Sequence, residues 1–150
     1  MNMHTSKQIL IVDDDPNYID LVNRALSTCQ PLCHLKALST GTELLDWLET
    51  NNRPSLIFLD INMPGSSGLD ILKKLKTRDR YKAIPVVMLT VSDHKRDVEQ
   101  SYDIGANGYI EKPEIFADLL ACMQLTTKYW FEFGSTPGTD WTNPNWYNLN

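Results

Sequence analysis

Five short apolar runs alternate along this chain with five segments of helical periodicity, and no other feature narrows its fold as much. The runs are QILIVD (8–13), CHLKAL (33–38), LIFLD (56–60), IPVVMLT (84–90) and GYIEK (108–112). Leu56 to Leu59 is apolar without a break, which suits a strand buried on both faces, the habit of parallel sheets. Between the runs, Ile19, Val22 and Leu26 recur at three- and four-residue steps after Pro16, a good first-turn residue. Thr40-Gly-Thr-Glu43 is a capping-box pattern ahead of Leu44, Leu45 and Leu48. From about Gly68, Leu69, Leu72 and Leu75 share one face, with Lys73, Lys74 and Lys76 elsewhere. The fourth segment, about Ser92 to Ile104, is the most polar. It offers only Val98, Tyr102 and Ile104 to a core and is expected to pack least securely. The fifth, Ile115 to about Lys128, carries Phe116, Leu119, Leu120 and Met123. This alternation predicts an α/β fold: a doubly wound (βα)5, five-stranded parallel sheet with helices on both faces and right-handed crossovers.

The length of 150 residues allows one ordinary domain with a tail. We expect a domain over 7–128, an N-terminal extension over 1–6 and an aromatic-rich tail over 129–150. A chain of this size buries roughly 68–70% of its unfolded surface, so folding needs no metal or disulfide staple. The net charge of −5 argues against bulk binding to nucleic acid or anionic membranes. No apolar run approaches the 18 or so residues of a spanning helix, and MNMHTSKQILIVDDD has no secretory pattern. The expectation is a cytoplasmic protein without a membrane partner. Cys29, Cys33 and Cys122 are odd in number, and the three-residue gap is not that of a zinc or redox pair. Buried or incidental thiols are expected, with redox or metal work as the alternative. The tail YWFEFGSTPGTDWTNPNWYNLN lacks helical or alternating pattern. Its Trp130, Phe131, Phe133, Trp141, Trp146 and Tyr147 pack back on the domain or fray, or else meet a partner or second copy.

In open parallel sheets ligands bind outside the C-terminal ends of the strands. There this sequence places Asp13-Asp14-Asp15, Asp60, Thr90 and Lys112, each at the end of a different run. Singly each has a plain reading: helix capping for the Asp triplet and Thr90, a solvated edge charge for Lys112. Together they need explaining, because two carboxylates about 4 Å apart repel by roughly 4 kcal/mol at an effective dielectric of 20. Lys112 supplies one compensating charge. A hard divalent ion on oxygen ligands would supply more, and Mg²⁺ suits a sparse carboxylate site. Carboxylates, Mg²⁺, a hydroxyl and a lysine make a phosphoryl-transfer site, in which a carboxylate attacks in line and the cations neutralise the phosphoryl oxygens.

The sequence resembles the receiver domain of two-component response regulators over residues 7 to 128. The resemblance rests on an apolar run ending in Asp13-Asp14, on Asp60-Ile-Asn62-Met-Pro64-Gly-x-x-Gly68, on VVMLT with Thr90, and on GANGYIEKP with Lys112-Pro113. It implies the flavodoxin-like receiver fold and a phosphorelay switch, not an enzyme with a separate substrate. Asp60 is implied as the phospho-acceptor from a histidine kinase. Asp13 and Asp14, with Asp60 and the backbone carbonyl of Asn62, are implied as the Mg²⁺ site, Asp14 being a direct ligand. Thr90 is implied to bind the phosphoryl group and shift with it, Lys112 to pair with it, and Tyr109 to be the aromatic switch. A cis peptide is implied at Lys112–Pro113. Asp15 has no metal role in the pattern and reads as a helix-start residue. SYDIGANGYIEKP, Phe116 and Tyr129-Trp130 are similar to single-domain regulators of the cyanobacterial phytochrome type. As partners that implies a sensor histidine kinase, phytochrome-like in this subgroup, or a phosphotransfer protein. It also implies a homodimer through the face of the fourth helix, fifth strand and fifth helix.

Two departures stand out. Val91 follows Thr90 where a small residue is common, and its bulk is expected to narrow access to Asp60. Glu111 and Glu114 flank Lys112-Pro113 and are expected to weaken anionic contacts. A haloacid-dehalogenase-like phosphatase is the enzyme rival, but Asn17 stands where its Asp-x-Asp-x-Thr/Val motif wants Thr or Val. A receiver-like scaffold that has lost phosphorylation is the second rival. Direct DNA binding is not expected, since residues 129–150 are too few for a helix-turn-helix or winged helix.

Overall fold

The computed structural model describes residues 6–134 and Thr136. Five strands, β1 (Gln8–Val12), β2 (His34–Leu38), β3 (Leu56–Leu59), β4 (Val86–Thr90) and β5 (Gly108–Glu111), form one sheet. Its order is β2-β1-β3-β4-β5 and every pairing is parallel. The helices are α1 (Pro16–Cys29), α2 (Gly41–Thr50), α3 (Gly68–Lys76), α4 (Lys95–Ile104) and α5 (Phe116–Lys128). β1 sits between β2 and β3, so the order reverses beside it, and a crevice opens at the strand ends there.

Alternation along the strands divides the core in two. Leu10, Val12, Ile57, Leu59, Val86 and Met88 point to the face covered by α2 and α3, where Leu44, Leu48, Ile71, Leu72 and Leu75 meet them. Ile9, Ile11, Leu56, Phe58, Val87 and Leu89 point the other way, to Val22, Ala25 and Leu26 of α1 and Leu119 and Met123 of α5. β3 and β4 are buried at every position, as an unbroken apolar run requires. Each such side chain contributes about 1.5–3 kcal/mol relative to exposure. β2 is an edge strand, and its exposed His34 and Lys36 discourage pairing with another chain.

The helix starts follow their capping residues. The Asp15 carboxylate accepts from Asn17 N at 3.0 Å and caps α1. Thr40 Oγ1 accepts from Glu43 N at 3.1 Å, while the Glu43 carboxylate accepts from Ser39 N at 2.8 Å. Ser67 Oγ accepts from Leu69 N at 3.2 Å and caps α3. α4 has no such bond from its N-cap residue, His94.

Three expectations are corrected. Tyr102 is 51% exposed, and the fully buried residue of α4 is Ser101. Ser101 Oγ donates to Asp97 O at 2.7 Å, which satisfies the buried hydroxyl. Phe116 is exposed at the start of α5 rather than in the core, and the Arg24 guanidinium lies 5.4 Å from its ring centroid. The tail does continue the helical path. A π-helical stretch, Tyr129–Phe133, extends α5 and sets the consecutive Trp130 and Phe131 against the α1/α5 core. Tyr129 and Phe133 stay exposed, and Trp141, Trp146 and Tyr147 lie outside the described residues. Cys29, Cys33 and Cys122 are half-buried free thiols packed against the same core, and burial pushes all three up in pKa. No helix among the described residues is long and apolar enough to cross a membrane.

Candidate functional site

The chemistry collects where β1, β3 and β5 run out. Asp13 N donates to Leu38 O and Asp60 N to Val12 O, both at 3.0 Å, so the sheet ladder continues one residue past the strands and fixes both acids. Lys112 is fixed in the same way, its N donating to Thr90 O at 2.7 Å. Asp13 and Asp60 are only 1% and 5% exposed, and Thr90 is fully buried between them and β5. Asp14 is exposed. Behind Asp60, Gly68 N donates to Ile61 O at 2.8 Å, and a Cβ on Gly68 would land on the backbone carbonyl of Asp60. The turn after Asp60 therefore closes only over glycine.

Lys112 Nζ stands 2.7 Å from Asp13 Oδ2 and 3.4 Å from Asp60 Oδ2, so its shorter ion pair is with Asp13. Its other side rests 4.6 Å from the centroid of the Tyr18 ring. Tyr18 is itself nearly buried, and its hydroxyl donates to Pro113 O at a long 3.4 Å. A cation over an aromatic face in a desolvated site gains about 2 kcal/mol, so Tyr18 both seats and aims the ammonium. Burial works to lower the Lys112 pKa, but Asp13 and Asp60 outweigh it and hold the ammonium above its ordinary range. Burial raises the Asp13 carboxyl, against the opposing pull of Lys112 and of Asp15 N, which donates to Asp13 Oδ1 at 2.9 Å. The pair stands as ionised, because at 2.7 Å the attraction acts on both members and the lysine is far from losing its proton.

Asp13 Oδ2 is buried, and its close partner is the Lys112 ammonium at 2.7 Å. Asp13, Asp14 and Asp60 each present a carboxylate oxygen, all within 4.8 Å of one another. Oxygen donors alone, with negative charge only partly offset by Lys112, suit a hard divalent ion such as Mg²⁺ or Mn²⁺.

The remaining expected residues are near but not all in the cluster. Asn62 N donates to Asp60 Oδ1 at 3.3 Å, closing the turn. Tyr109 stands on β5, half-buried, and its hydroxyl donates to Ser92 O at 2.7 Å. Val91 is 66% exposed and lines a cleft of about 350 Å³ with Asp15, Tyr18, Glu111, Lys112 and Glu114. A larger cavity of about 580 Å³ between α3 and α4 contains none of these groups, so size is no guide to the chemistry here. The expected cis peptide is corrected. No peptide bond among the described residues is cis, and Lys112–Pro113 takes the trans form that X–Pro bonds favour by roughly 0.5–1 kcal/mol. Tyr18 was not singled out from sequence. The available signal was its position in the first turn of the helix that starts at this edge.

Comparison with known proteins gives a consistent result. Residues 9–124 match the response regulator receiver domain family. Response regulator Rcp1 of Synechocystis sp. is 34% identical over 137 residues, covering 87% of this chain and 93% of that protein. The probable methanogenesis regulatory protein FilR2 of Methanothrix harundinacea is 30% identical over 135 residues, covering 87% of each. Among solved structures, the phosphorylated cyanobacterial phytochrome response regulator RcpA superposes with a TM-score of 0.83 at 28% identity, over 89% of this chain and all of that one. The Mn²⁺-bound form of Rcp1 gives 0.79 at 33% identity, over 88% of this chain and 99% of that one.

Proposed function

This chain belongs to the response regulator receiver family, and on that footing we propose that Asp60 is its phosphoryl acceptor. The observation that carries the reading is the buried pair Asp13 and Asp60 held around one ammonium, at the strand ends where only a turn over Gly68 intervenes. A carboxylate oxygen of Asp60 attacks the phosphorus of a phosphohistidine. The P–N bond breaks, the imidazole leaves and takes up a proton, and an acyl phosphate forms. As a receiver, the domain mediates its own phosphoryl gain and loss and turns over no separate substrate. Asp13, Asp14, Asp60 and the Asn62 carbonyl would hold Mg²⁺, which supplies charge neutralisation for the incoming phosphoryl oxygens. Lys112 supplies the complementary charge from the Tyr18 side, and its pairing moves from Asp13 toward the phosphoryl group. Thr90 donates its hydroxyl to a phosphoryl oxygen, and Tyr109 responds to the movement of Thr90.

The partner that loads Asp60 is a histidine kinase or phosphotransfer protein, phytochrome-like by similarity to Rcp1 and RcpA. The output is a change in the α4–β5–α5 face, which reads to a protein partner or a second copy and not to DNA, in the cytoplasm. A phosphoryl group brings about −1.5 to −2 charge and three strong acceptors, enough to reorganise a helix as weakly buried as α4. The test is to load the protein, trap the acyl phosphate with borohydride and map the peptide carrying the reduced residue. Recovery of homoserine at position 60 supports the reading; reduction at any other acid, or at none, refutes it.

A further inference from the structure

On the Tyr18 side of Lys112 lies a cleft of about 350 Å³. Tyr18, Leu21 and Val91 give it apolar walls, while Asp15, Glu111 and Glu114 line it with exposed carboxylates. Lys112 is the one cation among the lining residues, and its ammonium is already committed to Asp13 and Asp60. Among the described residues, no ion pair engages Asp15, Glu111 or Glu114. The cleft therefore presents unbalanced negative charge over an apolar floor. Its acids stand too far apart to share a metal ion: among the described residues, only Asp13, Asp14 and Asp60 bring three carboxylate oxygens within 4.8 Å of one another. A larger cation on an aliphatic stem matches the cleft instead. Arginine and lysine lay such a stem along apolar surface and keep the charged head at a wet rim.

We propose that this cleft seats an arginine or lysine side chain of the protein that carries the phosphohistidine, with Glu111 and Glu114 as the specificity-determining residues. This rests on the reading of Asp60 as the acceptor and names the chemistry of the donor surface. The phosphoryl group is itself an anion, so a donor that brings nothing else meets repulsion at the rim. A donor with a cation beside its histidine turns that repulsion into attraction, and the seated side chain holds the phosphoryl group near Asp60. Lys112 does not compete for the seat, because it is buried and balanced by two acids. Asp15 is engaged as the cap of α1, accepting from Asn17 N at 3.0 Å, which leaves Glu111 and Glu114 to turn toward the guest. Both are exposed, so the selection weakens as salt is added.

The probe is a short phosphohistidine peptide with arginine beside the histidine, set against the same peptide with glutamate there. Uptake by the full-length protein with Mg²⁺ is followed by intact mass over time. The parent should load about tenfold faster from the arginine peptide. Glu111→Gln together with Glu114→Gln keeps the shape of the rim, removes its charge and should level the two rates. Asp46→Asn together with Glu49→Gln removes the same charge from exposed sites on α2, across the sheet from α1, and should keep the parental preference. Equal rates from the two peptides in the parent overturn the proposal, and so does a preference that survives the rim substitutions. A loss on α2 as large as the loss at the rim also overturns it, because net charge and not the cleft then selects. Acetyl phosphate has no side chain to seat and tests the acceptor separately. If it adds no phosphoryl group to the parent, or adds one equally to Asp60→Asn, the reading of Asp60 fails and the donor assignment falls with it.

Discussion

Lys112→Met is the sharpest perturbation of the site's electrostatics. The lysine side chain is 7% exposed, against 1% for Asp13 and 6% for Asp60, so little water screens the three charges. Removing the ammonium leaves two buried carboxylates with no cation between them. Breaking a buried pair from one side costs about 3–5 kcal/mol, in line with roughly 4 kcal/mol for a unit pair at 4 Å and an effective dielectric of 20. We predict a loss of about 3 kcal/mol at pH 7 without divalent ions, which is about 6–12 °C in Tm for a chain of this size. The pH dependence has a definite sign. Burial already raises the Asp13 carboxyl, and Met at 112 removes the contact that opposes it. The native variant then keeps its proton where the unfolded chain has lost it, so its stability falls as pH rises from 3.8 through the folded value. In the parent, the Lys112 contribution is complete below 10.5 and is lost only as pH climbs through its raised folded value. Urea titrations of both proteins at pH 4.5 and 7.5 measure this. A loss below about 1 kcal/mol, or an equal loss at both pH values, refutes the electrostatic account of the site.

Gly68→Ala forces a Cβ onto the Asp60 carbonyl and should cost about 3 kcal/mol or displace the acceptor turn; an unchanged urea midpoint would contradict this. Tyr18→Leu keeps the apolar bulk but removes the ring under Lys112. It should destabilise by about 2 kcal/mol and slow phosphoryl uptake, and a normal uptake rate would show that the ring only packs. Burial pushes Lys76 down to about 8, although its ammonium donates to Lys82 O, Ile84 O and Asn107 Oδ1. The native state releases that proton before the unfolded chain does, so parental stability should rise relative to Lys76→Met as pH goes from about 8 toward 10.5. A flat difference would mean that the three acceptors hold the charge against burial. Val91→Ala should speed phosphoryl uptake from a small donor several-fold, read by intact mass over time; an unchanged rate removes Val91 from the access route.

The sheet was legible because LIFL and VVMLT have no polar face to turn outward, which leaves burial on both sides as the consistent reading. The site acids were legible for a related reason: parallel strands deliver their last residues to one edge, however far apart they stand in sequence. α4 misled because Tyr102 is the larger apolar group. The inward line, however, is Val98, Ser101 and Ile104 at three-residue steps, and its most buried member is a polar serine. The π-helical stretch hid because adjacent apolar residues such as Trp130 and Phe131 turn inward on ordinary α-helices too, as Ile71 and Leu72 do on α3, so the pattern does not mark it. Tyr18 stands outside the Ile19, Val22 and Leu26 pattern and carries no signal of its own. Its place beneath Lys112, and the shorter pairing of that lysine with Asp13 than with Asp60, depend on side-chain placement that spacing does not encode.

The most direct test of the account is the intact mass of the parent and of Asp60→Asn after incubation with Mg²⁺ and a small phosphodonor, with a chelated sample alongside. The account predicts one added phosphoryl group on the parent, none on Asp60→Asn, and none once the metal is withdrawn. Equal addition to parent and variant, or no addition to a folded parent, would contradict it.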